Sequence, residues 1–172
     1  MRGNTSSIRD LLPSMDSRYN ASAPKPIGGN VAIALTTALR VGSRAAGPVF
    51  ETALSRLKAN HEADQTTMKR LLTDQAGMAY GISGDLQKAR SIFEKAIAED
   101  PEYPLYYYNL ACADAEEKDL VGAQKHLREA FGRKANFIAG EKMPDPTADD
   151  SFLPYRHKQA FWSFVEELQA KQ

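Results

Sequence analysis

The sequence predicts an all-α fold: an α-α superhelix of helix–turn–helix units closed by a capping helix. Three observations lead there. Apolar residues recur at helical spacing, in Val31, Leu35, Ala38, Leu39 and Gly42 and again in Phe161, Phe164, Val165 and Leu168. Helix-stopping pairs punctuate the runs, at Gly47-Pro48, Gly84-Asp85 and Asp100-Pro101. The stretch after residue 66 also repeats itself: Gly84-Asp85 is answered by Lys118-Asp119, Ala89 by Ala123, Phe93 by Leu127 and Ala96 by Ala130, each 34 residues on.

Residues 1–30 hold three prolines, three glycines and many small polar side chains without a sustained period. This composition predicts a flexible N-terminal tail. Some organelle-targeting segments share it, a plain polar tail being the simpler reading. Asn30 is a plausible N-cap for the run that follows. Residues 31–65 then read as a helical hairpin with the size of a degenerate repeat. Gly47-Pro48 stops its first helix and starts a second, since proline is tolerated in a first turn. That second helix carries Val49, Phe50, Ala53, Leu54 and Leu57 on one face. Residues 66–137 contain two repeat units, 70–103 and 104–137. Residues 138–172 make a Pro/Asp-rich loop and a last helix, whose Phe161–Leu168 stripe is wide enough to cap the helix pair before it.

Composition excludes several classes. Basic and acidic side chains balance at 22 each, and residues 1–48 carry six Arg/Lys against two acids, about +4, leaving about −4 for the rest. No basic stripe crosses the folded part, so nothing argues for nucleic acid. The longest apolar run, Val31–Leu39, is far short of the ~20 residues that span a bilayer. Cys112 is the single cysteine, which rules out an intrachain disulfide and favours a reducing, cytoplasmic setting.

Within the two units the residue pattern resembles the tetratricopeptide repeat (TPR), a 34-residue helix–turn–helix unit. In Arg70–Tyr103, Gly77 takes the place of the small residue where the paired helices approach, and Tyr80 packs beside it. Gly84 makes the turn, Ala89, Phe93 and Ala96 form the face of the second helix, and Asp100-Pro101 closes the unit. Thr73 stands where the family carries a large aromatic. In Pro104–Phe137, Tyr107 supplies that aromatic, Leu110 and Ala111 the close-approach pair, and Ala123, Leu127 and Ala130 the second face. Asp114 replaces the usual tyrosine and Ala135 the closing proline. The resemblance covers about 68 residues, with the tail like that found after terminal repeats in bacterial TPR proteins.

No catalytic constellation is visible. His61, His126 and His157 make no HxxxH or HExxH pair, and His126, beside Lys125 and Arg128, reads as solvated on the outer side of its helix. Asp145, Asp149 and Asp150 lack the DxDxDG order of a calcium loop and read as a polar loop near a helix start. Gly77, Gly81 and Gly84 are followed by no lysine-serine pair, so a phosphate loop is disfavoured. Neither a cofactor nor a metal site is expected, and the chain is expected not to be an enzyme.

The resemblance implies that the first helix of each unit lines a concave groove and supplies ligand contacts. The candidates are Leu71, Asp74 and Met78 in the first unit and Leu105, Tyr108, Asn109, Cys112 and Glu116 in the second. Asn109 matches one position that grips the terminal carboxylate of chaperone tails, but Asp74 would repel such a ligand. Successive helical residues point about 100° apart, so the three tyrosines in PLYYYNLA cannot form one platform. The repeat register the resemblance implies assigns Tyr107 to packing, Tyr108 to the groove, and Tyr106 to the other side or to contact with the neighbouring unit. The expected role is a non-catalytic protein-interaction module or adaptor that holds a peptide or partner helix. Two alternatives stay open: a structural or self-associating unit whose groove is filled by residues 31–65 or the tail, and a regulatory accessory subunit of an enzyme.

Overall fold

The computed structural model describes residues 46–60 and 65–170, and all regular structure in them is helical. Six α-helices follow in chain order: α1 Ala46–Asn60, α2 Gln65–Ile82, α3 Leu86–Glu99, α4 Pro104–Glu116, α5 Leu120–Gly132 and α6 Gln159–Ala170. Short 3-10 turns lie at Lys134–Asn136 and Leu153–Tyr155. The tail expected over residues 1–30 and the helix expected after Asn30 fall outside the described residues. The chain divides into two compact units, Met1–Ala89 and Arg90–Gln172, with the boundary inside α3.

In the first unit α1 packs on α2. Pro48 sits near the described start of α1, where a missing N–H costs no helical bond. Phe50 is fully buried, and Val49, Ala53 and Leu54 are half-buried. From α2, Leu72, Ala76 and Ala79 go inward at i, i+4 and i+7, one helical face. Gly47 lets α1 lie against the Tyr80 ring, because a Cβ there would stand 2.7 Å from two ring carbons. Tyr80 then donates its hydroxyl to Glu51 at 2.7 Å, and Lys88 pairs with the same carboxylate at 2.9 Å. Gly77 is buried, but α2 also approaches α3 at Gly81, where a Cβ would lie an ordinary 3.8 Å from that of Ala89.

The turns leaving α2 and α4 are alike bond for bond. Gly84 has φ +90 and Lys118 φ 68, both left-handed. The Asp85 amide reaches back to the Tyr80 carbonyl and the Gly84 amide to Gly81. The Asp119 amide likewise reaches Asp114, and the Lys118 amide reaches Ala115. This is the Schellman arrangement, which satisfies the carbonyls a helix end leaves open. Each aspartate then caps the next helix: Asp85 accepts from the Lys88 amide and Asp119 from the Gly122 amide, three residues on. The 34-residue recurrence seen in the side chains is thus also a recurrence of backbone geometry.

In the second unit, Tyr107, Tyr108, Ala111 and Ala115 of α4 meet Ala123, Leu127, Ala130 and Phe131 of α5 and Phe152, Phe161 and Val165 of the C-terminal segment. Tyr107 is buried: its hydroxyl donates to the Pro101 carbonyl at 2.9 Å, and the Arg133 guanidinium covers its ring at 4.4 Å. Tyr106 meets residues of the preceding repeat. It is buried beside Tyr103, whose ring stands edge-on at 4.8 Å, and beside Phe93 of α3. Helix α5 stops at Gly132, and the 3-10 turn at Lys134–Asn136 tightens the exit.

Candidate functional site

The candidate face is that of α4. Residues 105, 108, 112 and 116 follow at i+3, i+4 and i+4 and share one side of the helix. Exposure changes along that stripe. Glu116 is exposed, Leu105 and Cys112 are half-buried with Asn109 beside them, and Tyr108 is only 2% exposed. The cover over Tyr108 is the chain's own C-terminal segment. The Tyr108 hydroxyl donates to Asp149 Oδ2 at 3.0 Å, and the Cys112 Sγ lies 3.8 Å from the same oxygen. Phe152, fully buried, stands edge-on to the Tyr108 ring at 6.1 Å and stacks on Phe161 at 5.7 Å. Three residues further, the Tyr155 hydroxyl donates to the Ala115 carbonyl at 2.6 Å, near the C-terminal end of α4. The Trp162 indole N–H in turn holds the Tyr155 carbonyl at 2.9 Å.

Tyr108 was expected as an accessible groove contact, and on this face the tail already occupies that place. A polar ring tip above an apolar helix face needs a partner when buried, and Asp149 supplies it. Burial pushes the Cys112 thiol well up, with the Asp149 carboxylate adding to the shift, which favours the neutral thiol. Of the first-unit candidates, Asp74 is buried while Leu71 and Met78 are half-buried, all three on α2. Two of the three loop aspartates serve turns and tail contacts, and Asp150 is exposed. Asp145 accepts from the Thr147 amide and hydroxyl and from the Gln169 side chain, and Asp149 accepts from the Ser151 amide. Among the described residues no group of three or more potential ligands is placed to hold a metal ion.

A second polar centre was not foreseen. Asp114, 2% exposed, accepts from His126 Nδ1 of α5 at 2.5 Å and from the Arg90 guanidinium of α3 at 2.6 Å. Arg90 also reaches Glu117 at 2.6 Å. His126 is therefore not a solvated outer residue. It is half-buried because it pairs with Asp114, and a buried carboxylate must be paired. Asp114, 34 residues after Tyr80, was the visible signal; its partner twelve residues on was not.

No protein-family model, curated protein or solved structure matches the chain. No helix among the described residues is long and apolar enough to cross a membrane.

Proposed function

We propose that the chain is a non-catalytic protein-interaction module of the tetratricopeptide kind, holding a peptide or partner helix at the face of α4. The observation that carries this reading is the paired turn. Gly84-Asp85 and Lys118-Asp119 share their left-handed residue, both Schellman bonds and the following N-cap, at the 34-residue interval of that repeat. Helical repeats of this type display helix faces in place of reactive groups, and an α4 face mixing apolar, amide and carboxylate side chains suits peptide docking. The single free cysteine agrees with a cytoplasmic setting.

Affinity capture with the full chain tests the proposal. Wild type is compared with an Asn109→Ala, Glu116→Lys variant, which alters the less buried part of the face. The proposal expects partners that wild type retains and the variant loses. Identical partner lists would overturn it, and turnover by the isolated chain would overturn the non-catalytic part.

A specific observation favours a second reading. The tail lies on Tyr108, so the chain can equally be a structural unit with its own groove filled. Light scattering at two concentrations separates the cases, because self-assembly raises the mass with concentration and a monomeric docking module does not.

A further inference from the structure

We propose that the tail segment Asp149–Tyr155 is an internal occupant of the α4 face, standing in for partner segments of the same chemistry. Those segments present a carboxylate, an aromatic ring three residues on and a hydroxyl-bearing ring three further. The inference rests on the interaction reading above and adds to it the partner's chemistry and the way access is controlled.

Three contacts made by the tail define what the face recognises. Tyr108 offers a hydroxyl donor, met by Asp149 at 3.0 Å. The ring of Tyr108 offers an edge-on aromatic surface, met by Phe152. The Ala115 carbonyl, which also accepts from the Lys118 amide, still has a lone pair for the Tyr155 hydroxyl at 2.6 Å. Asp149, Phe152 and Tyr155 are evenly spaced, and a tight local turn presents them. The Asp149 carbonyl accepts from the amides of Phe152 and Leu153, and a 3-10 turn runs through Leu153–Tyr155. A segment that organises its own backbone and sends three side chains across is the arrangement of a bound peptide. A capping helix would need only apolar contact, and α6 provides that separately through Phe161 and Val165.

The connection also suits an occupant that comes and goes. Residues 133–158 contain no α-helix, and an irregular stretch of that length inside a compact unit is more often a lid or binding loop than a plain connector. Gly140 turns in the left-handed region with φ +91, and a Cβ there would meet nothing within 4 Å. The tail is held partly by polar contacts, Tyr108 to Asp149, Tyr103 to Glu141 and Tyr155 to the Ala115 carbonyl. An incoming segment can take over the first and last of these one by one.

A fluorescein-labelled synthetic peptide of residues 145–157 is the probe, titrated into the full chain and followed by fluorescence polarisation. Asp149→Ala in the chain weakens the internal occupant and leaves the face intact. It should bind the peptide about tenfold more tightly than wild type, the worth of one charge-assisted hydrogen bond. Adding Tyr108→Phe to that variant should remove about the same factor. A peptide carrying Phe152→Ala should not bind. Circular dichroism reports whether Asp149→Ala folds. If it does not, Tyr155→Phe, which deletes a single hydroxyl, takes its place with an expected gain of about fivefold. Equal affinity for wild type and the released variants, or equal binding of the Phe152→Ala peptide, overturns the inference. A doubled mass of the released variant by light scattering also overturns it, because the occupant would then be a second copy. If the peptide fails while the capture lists still differ, only this inference falls. If the lists are identical while the peptide binds, only the broader reading falls.

Discussion

Lys118 has φ 68, in the left-handed region where Gly84 stands in the matching turn. A side chain there crowds the carbonyl that follows, at a cost of roughly 1–2 kcal/mol that glycine avoids. Lys118→Gly should therefore raise stability by about 1 kcal/mol, seen as a higher midpoint in urea; an unchanged or lower midpoint would contradict the turn geometry. Gly122 makes the opposite case. Alanine in a helix normally gains close to 1 kcal/mol over glycine. Here a Cβ would stand 2.5 Å from Asp119 Oδ2, and 2.9 and 3.0 Å from Oδ2 and Cγ of Asp114. Asp119 is an exposed side chain that can shift, but Asp114 is pinned between His126 and Arg90. Gly122→Ala should lower stability by about 1–2 kcal/mol, against its helix propensity. The same substitution at Gly81, with its 3.8 Å clearance, should be tolerated in comparison, and thermal melts of the two variants check the contrast.

At the scale of elements, the two helix–turn–helix units share a frame and differ in what they place at its polar hub. The first unit sets Tyr80 and Lys88 on Glu51 of α1; the second sets Asp114, with Gly122 making room, on His126 and Arg90. Residues 80 and 114, and 88 and 122, are 34 apart, so one change at the tyrosine position accompanies the loss of the side chain facing it. The frame was legible in the sequence because it depends on short-range rules: left-handed turn residues, capping aspartates and small residues on one helical face. The Ala89 and Ala123 pair belongs to it, and both are buried. Ala89→Leu should accordingly cost roughly 1–3 kcal/mol by overpacking beside Gly81, measured as a fall in Tm; a neutral result would place Ala89 on the wrong face. The hub and the tail were not legible for a common reason. His126 joins Asp114 across a turn, Arg90 joins it from another helix, and Asp149 joins Tyr108 across 41 residues. Spacing along one helix says nothing about such partners. A groove filled by the tail stood among the open alternatives, but that Asp149 and Phe152 are the side chains meeting Tyr108 could be read only from the fold.

For the whole molecule the ionisable contacts define a window of pH. Burial alone would push the Asp114 carboxyl up, but hydrogen bonds from His126 and Arg90 outweigh it and hold the group below the ordinary carboxylate value. A depressed carboxyl contributes stability that is present above about pH 3.9, its unfolded value, and is lost as pH falls through the folded value. At the other end, burial first and then the hydrogen bond to Glu51 push the Tyr80 phenol up to about 12. Burial above all, with nearby negative charge, pushes the Tyr108 phenol further still. A raised phenol contributes stability that is complete below about pH 10 and is lost as pH rises through the folded value. Equal numbers of basic and acidic groups, 22 each, keep general charge repulsion small between these limits. Urea midpoints measured from about pH 2 to about pH 12 should therefore form a plateau with two falling limbs. Asp114→Asn should lower the plateau and flatten the acid limb. Tyr80→Phe should lower the plateau by about 1 kcal/mol for the lost bond to Glu51 and reduce the alkaline fall. Tyr108→Phe should reduce that fall too and should loosen the tail, which peptide binding reads separately. The assignment of the limbs fails if either the acid fall of Asp114→Asn or the alkaline fall of Tyr80→Phe matches wild type. It stands if each variant, beyond lowering the plateau, changes the steepness of its own limb alone, because Tyr80 and Asp114 lie in different units.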